Sequence, residues 1–135
     1  MVLADYEEVY RLWSSCPEME LNDIDDSESG VARFLARNPD TSFVAEVDGK
    51  VAGVLLVGCD GRRGYIYHAG VLPAYRGQGI GTALINETQQ ALKEIGITKA
   101  GLLVFANNER GKRFWIHHGF EVREDLVYQS CVLHR

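Results

Sequence analysis

With 135 residues, 46% of them hydrophobic, and a formal net charge of −5 at a pI near 5.3, the chain has the size and composition of one domain with a core, spanning residues 1–135. The acidic balance argues against a general nucleic-acid surface, and no apolar run approaches the roughly 18–20 residues of a membrane span, so neither partner is expected. The N-terminus carries acids where a secretory signal has a basic stretch followed by an apolar one, which leaves the cytoplasm as the default compartment.

In chain order, "ADYEEVYRLW" sets Tyr6, Val9, Tyr10 and Trp13 at helical spacing and predicts a first helix. The acid-rich "CPEMELNDIDDSES" follows, either as a solvated loop or as an attraction for a cationic substrate. A second helix starts from Ser27 and buries Val31, Phe34 and Leu35. "TSFVAEV" and "KVAGVLLVG" flank Asp48 and Gly49, which supply the positive φ angles of a tight hairpin turn. "YIYHAGVL" reads as a third strand. From Ile80, the apolar residues Ala83, Leu84, Ala91, Leu92 and Ile95 mark a helix that stops at Gly96. "AGLLVFA" is a buried strand, residues 109–118 a helix ended by Gly119, and "EDLVYQSCVL" a last strand or strand pair. The order α-α-β-β-β-α-β-α-β predicts an α/β fold whose sheet is mixed, antiparallel in the hairpin and helix-connected after it. Cys16, Cys59 and Cys131 are an odd number without metal-ligand spacing and are expected to be packing thiols, with neither a disulfide framework nor a metal site.

The stretch "YRGQGIGTAL" places Gly77, Gly79 and Gly81 between a strand and a long helix, with Arg76 adjoining. Glycine admits positive φ and lets a ligand come close to the backbone, and the first helical turn offers unpaired N–H groups with a partial positive charge. Together they make an anion cradle. No Lys-Ser or Lys-Thr follows, so the loop is not a Walker A. The third glycine comes one residue early for a dinucleotide fingerprint.

Two motifs carry a resemblance. "VLPAYRGQGIGTALI" is similar to the signature of the GNAT superfamily of acyl-CoA-dependent N-acetyltransferases: an apolar strand, a proline, then Arg/Gln-x-x-Gly-x-Gly/Ala. Downstream, "NERGKRFWIHHGF" resembles the family's Asn, aromatic-bearing helix and Gly-Phe, while "FVAEVDGKVAGVLLV" is similar to its central hairpin, so the likeness covers about residues 41–120.

The resemblance implies a GNAT-like fold and transfer of an acetyl group from acetyl-CoA to a small-molecule or peptide amine. The backbone from Arg76 through Gly77, Gln78, Gly79, Ile80, Gly81 and Thr82 would hold the pyrophosphate, with the Arg76 side chain assisting. Pantetheine would lie along Ala69, Gly70 and Val71 like an added strand, an N–H there would stabilise the oxyanion, and Asn108 would fix the cofactor where the next strand splays away. Family members often carry a carboxylate where this chain has Tyr67. That leaves Tyr67 to hold a water or His68 to accept a proton, unless His68 is simply a packed strand residue, and a strand bulge would decide which of them faces the substrate. Trp115 occupies the place of a tyrosine that protonates the leaving thiolate, a task an indole cannot perform. His117 and His118 read as surface residues at a helix end. Nothing resembling the family's first strand precedes the first helix, which admits a variant fold, an edge supplied by a partner such as a second copy in a homodimer, or a recorded start that is too late. The competing class is a module that holds acyl-CoA without turnover, and a nucleotide-phosphate enzyme is disfavoured by the absent lysine.

Overall fold

The computed structural model describes residues 1–133. Four strands, β1 (Phe43–Val47), β2 (Lys50–Cys59), β3 (Gly64–Val71) and β4 (Ala100–Leu102), form one sheet in the order β1-β2-β3-β4. The first three pair antiparallel and β4 joins β3 in parallel. Helices α1 (Tyr6–Ser14) and α2 (Glu28–Arg37) precede the sheet, α3 (Ile80–Glu94) connects β3 to β4, and α4 (Glu109–His117) follows β4. This is the mixed α/β architecture that the sequence predicts.

The local chemistry explains the boundaries. Ser27 caps α2 by accepting the Gly30 N–H at 3.0 Å. The hairpin between β1 and β2 turns through Asp48 at φ 51° and Gly49 at φ 78°, the mirror-image geometry that matches strand twist. α3 and α4 end alike. At α3, Gly96 at φ 83° bonds back to Lys93 O and Ile97 to Leu92 O; at α4, Gly119 at φ 90° bonds to Ile116 O and Phe120 to Trp115 O. Each is a left-handed glycine that satisfies carbonyls the helix leaves open.

β2 is buried on both faces and divides the core by alternation. Val54 and Leu56 pack with Val9, Leu12, Trp13, Val31 and Leu35 beneath α1 and α2. Leu55 and Val57 pack with Ile66, Leu84, Ile85, Leu92 and Trp115 beneath α3 and α4. Cys16 is buried in the first of these layers, Cys59 is partly buried and Cys131 is exposed, so the expectation of three packing thiols fails at Cys131.

As the sequence suggests, no strand precedes α1; a short 3-10 turn, Leu3–Asp5, stands there, and the Met1 ammonium donates to Ser42 O at 2.8 Å beside the start of β1. Two other expectations are corrected. The strand expected over "AGLLVFA" lasts only three residues before the chain leaves the sheet. The last strand expected over "EDLVYQSCVL" does not form. Arg123 grips both oxygens of Asp125 at 2.9 Å, which holds that carboxyl at a pKa of about 2 and tightens a turn where the strand would begin. Among the described residues the chain past that turn pairs with no strand, and its apolar side chains stay exposed, Val127 at 86% and Leu133 at 95%. A strand exists only through its pairing, so an apolar pattern that pairs with no neighbour stays irregular.

Apolar pattern and burial also part company at the C-terminal end of α3. Leu92 is 4% exposed, whereas Ile95, one turn on, is 50% exposed. Leu92→Ala should therefore destabilise by about 2–5 kcal/mol, and Ile95→Ala should stay within about 0.5 kcal/mol. Urea unfolding of the two variants checks this; equal losses would place the α3 core face wrongly.

Candidate active site

The cleft arises where β3 and β4 separate. They pair only at Gly64 with Ala100, Tyr65 with Gly101 and Ile66 with Leu102. Beyond Ile66, β3 runs on against β2 with a bulge: Leu56 faces His68 and Val57 faces Ile66, so Tyr67 is the extra residue. From residue 67 to 71 the other edge of β3 has no strand partner, and its N–H and C=O groups open into a cleft of about 800 Å³. The cleft is walled by Cys16 and Met19 after α1, by the glycine loop, by residues 102–106 and by α4.

At the mouth of the cleft, Gly77 and Gly79 have φ of 78° and 82°, and no atom lies within 4 Å of the Cβ that either lacks. Both glycines serve the backbone turn and keep the space in front of it open. α3 begins at Gly79 without any side-chain cap, and its first helical bond is Ala83 N to Gly79 O. The N–H groups of Ile80, Gly81 and Thr82 therefore face outward unpaired, where the helix dipole is positive. A pyrophosphate fits this cradle, because the vacant Cβ positions admit it and the orphan donors need an acceptor.

The remaining sequence-predicted residues divide. Gly81 serves packing, since a Cβ there would meet the Phe114 ring at 2.9 Å. Gly70 is also small for a structural reason: its Cβ would meet Leu12 at 2.8 Å and Cys16 at 3.3 Å, so the glycine admits α1 and the free edge lies to its side. Ala69, Gly70 and Val71 line the cleft, but the Gln78 side chain turns back toward Ala74 O at 3.5 Å and does not. Arg76 lines it with Nε already committed to Val71 O at 3.1 Å, leaving its other guanidinium nitrogens for an anion. Asn108 caps α4 by accepting the Gly111 N–H at 2.9 Å, so only its amide NH2 remains for the cleft. Trp115 is 8% exposed and packs edge-to-face on Phe114 and Phe120. His118, which ends α4, bonds Phe114 O and Thr82 Oγ1 at 2.8 and 2.9 Å and ties α4 to the first turn of α3.

The bulge brings Tyr67 and His68 to the face of the sheet beneath α1 and α2. Tyr67 is 56% exposed and packs on Phe34 of α2. Burial, and then the nearby Tyr128, Asp25 and Asp60, push its phenol pKa up, so it stays protonated at neutral pH and is no base. His68 is enclosed: its Nε2 lies 2.8 Å from Asp26 Oδ1 and its ring meets Trp13 at 4.8 Å. It also lines both the main cleft and a second cavity of about 430 Å³ under α2, which holds Glu20, Asp25, Arg33 and Arg37. Asp26, which the sequence marks only as one of the acids that could attract a cationic substrate, lines the second cavity, and Tyr128, which the sequence does not single out, lines the cleft. The acid-rich segment does border both cavities, but Arg110 pairs with Glu18 at 3.3 Å and Arg33 stands 4.0 Å from Asp25, so its negative field is partly neutralised. Cys16, beside Gly70, has its pKa raised by burial and stays a thiol.

The profile of the Acetyltransferase (GNAT) family matches residues 6–120. This chain belongs to that family. An acetyltransferase of Sodalis glossinidius is 42% identical over 123 residues, covering 91% of this chain and 85% of the relative. Among solved structures, Ard1 from Thermoplasma volcanium is similar with a TM-score of 0.80 at 22% identity, over 91% of this chain and 80% of that one. The PaiA N-acetyltransferase from Thermoplasma acidophilum, in complex with coenzyme A, has a TM-score of 0.78 at 18% identity, over 91% and 87%. The chain is thus an acyltransferase with the GNAT fold. Among the described residues no cluster of His, Cys, Asp and Glu could hold a metal ion, and no helix is long and apolar enough to cross a membrane.

The cradle makes a sharp prediction. Gly79→Ala forces an L-residue into the left-handed region and fills the space before the loop, so coenzyme A affinity should fall about tenfold or more, a loss of about 1.4 kcal/mol. Gln78→Ala, whose side chain points elsewhere, should stay within about threefold of the parent. Calorimetric titration with coenzyme A reads both; equal affinities in the two variants would contradict the assignment of the loop.

Proposed function

We propose that this acyltransferase moves an acetyl group from acetyl-CoA to the amine of a small molecule or peptide by direct attack on the thioester. The observation that carries the reading is the free edge of β3, which starts beside His68 and ends at the glycine cradle. A pantetheine arm can hydrogen-bond along residues 69–71 as an added strand while the backbone of residues 76–82, the Arg76 guanidinium and the Asn108 amide hold its phosphate end. Bound in this way, the cofactor would carry its thioester at the bulge. The coenzyme A complex of the Thermoplasma acidophilum neighbour supports the choice of co-substrate.

Placement supplies much of the catalysis, since aligning amine against carbonyl is worth about 7–11 kcal/mol. An alkylammonium of pKa about 10 must still lose a proton. His68 is the group to take it, because Tyr67 is held protonated and no carboxylate lies on β3. The amine nitrogen bonds to the thioester carbon, the carbonyl electrons move to oxygen and are stabilised by a backbone N–H of the β3 edge, and their return breaks the C–S bond. Sulfur leaves as the thiolate, which a thiol pKa of about 8.5 tolerates; the nitrogen gives up its second proton to water or to that thiolate as the amide forms, and the proton on His68 passes to solvent. Tyr67, which lines both cavities, orders water or acceptor at the same point. Glu20, Asp25 and the rings of Phe34 and Tyr67 border the second cavity together with Arg33 and Arg37, and an acceptor entering from the α2 side meets its cation-attracting part at Glu20 and the two rings. The setting is the cytoplasm, where acetyl-CoA is at hand.

Thiol release from acetyl-CoA with a panel of amines, followed by mass measurement of the acetylated product, tests the reading. In single-turnover experiments His68→Ala should slow transfer on the order of 10²–10⁴-fold. Trp115→Phe, which removes no acid that the reaction uses, should leave the chemical step within about threefold if the fold holds. Product absent for every amine while thiol is released by hydrolysis alone would contradict the function. A hundredfold loss in folded Trp115→Phe would give the indole a role denied to it here.

A further inference from the structure

The reading of His68 as base leaves its neighbour unexplained. Asp26 lies at the end of the acid-rich connection, and 42 residues separate it from His68. Its side chain is 5% exposed, whereas that of adjacent Asp25 is 72% exposed. A carboxylate buried this deeply needs both oxygens satisfied. They are: Oδ2 accepts the Asn22 N–H at 2.9 Å, and Oδ1 lies 2.8 Å from His68 Nε2. Asn22 is itself fixed, its Oδ1 accepting the N–H groups of Ile24 and Asp25 at 3.0 and 2.6 Å. The connection between α1 and α2 is thus folded around the carboxylate that meets the histidine.

An ionised carboxylate only accepts hydrogen bonds, so the hydrogen between the two groups sits on Nε2 and the neutral ring keeps its lone pair on Nδ1. Among the described residues no group hydrogen-bonds to Nδ1. Trp13, wholly buried in α1, meets the ring at an interplanar angle of 66° and resists its rotation. We infer that Asp26 is the positioning residue of the transfer: it fixes His68 as the Nε2–H tautomer, leaves Nδ1 to take the acceptor's proton, and stabilises the imidazolium that results. This rests on His68 being the base. The proton moves from the attacking nitrogen to Nδ1 while Asp26 stays ionised throughout and never touches the substrate.

Asp26→Asn tests it, because the amide offers only one oxygen. With that oxygen on the Asn22 N–H, the new NH2 faces Nε2, which must then carry the lone pair, and the ring proton moves to Nδ1. Imidazole nitrogen shifts, read by NMR in the folded proteins, report the tautomer directly. The expected result is Nε2–H in the parent and Nδ1–H in Asp26→Asn, with transfer from acetyl-CoA to the fastest amine of the panel slowed on the order of 10²–10⁴-fold in kcat. Acceptor KM and coenzyme A affinity should hardly move, which a merely structural loss would not spare. A parent ring with its proton on Nδ1 overturns the inference, and needs no variant to fold. So does an Asp26→Asn kcat within about threefold of the parent when His68→Ala is slow. If His68→Ala is as fast as the parent, the base assignment falls and the inference falls with it.

Discussion

Everything at this site depends on one sheet edge being left unpaired. β3 and β4 share three residue pairs and then part, and the groups that a longer β4 would have used are free in the cleft. Backbone donors and acceptors without partners are costly when water is excluded, so such an edge persists only where water or a ligand completes it. The same separation brings α4 beside the first turn of α3, where His118 bonds Thr82 and Phe114 covers Gly81. The cradle and the open edge are two consequences of a single divergence.

The two core layers divide the labour. Beneath α3 and α4, the packing of Leu84, Ile85, Leu92 and Trp115 sets the glycine loop at the end of a rigid helix. Beneath α1 and α2, Trp13 and the connection through Asn22 and Asp26 set the histidine. β2 lies between them with both faces buried, so neither half of the site can shift without disturbing the strand they share. Gly70 and Gly81, which both line the cleft, also make room for Leu12, Cys16 and Phe114.

The parts of this arrangement that are local were legible in the sequence. The order of the elements as far as α4, the Asp48-Gly49 turn, the glycine stops of α3 and α4 and the cradle all rest on residues a few positions apart. Whatever depends on pairing was not. The length of β4 is settled by neighbouring strands, the bulge is anticipated only through the family resemblance and its place at Tyr67 is set by pairing with β2, and the apolar run near the C-terminus looks like a strand although no strand pairs with it. Asp26 was visible only as one acid among several, because its partner lies across the fold and only burial distinguishes it from Asp25. Trp115 was read as packing or as a vacancy in the chemistry, and its burial against Phe120 favours packing.

The central claim is that the free edge of β3 and the glycine loop together receive coenzyme A. Backbone amide shifts of isotopically labelled protein, followed during titration with coenzyme A, test it residue by residue without altering the chain. The account predicts that the largest changes fall on the amides of residues 69–71 and 77–82, with little movement at the α2 face around Arg33 and Arg37. Saturable binding that shifts the α2 face and leaves the amides of Gly77, Gly79 and Thr82 in place would contradict it.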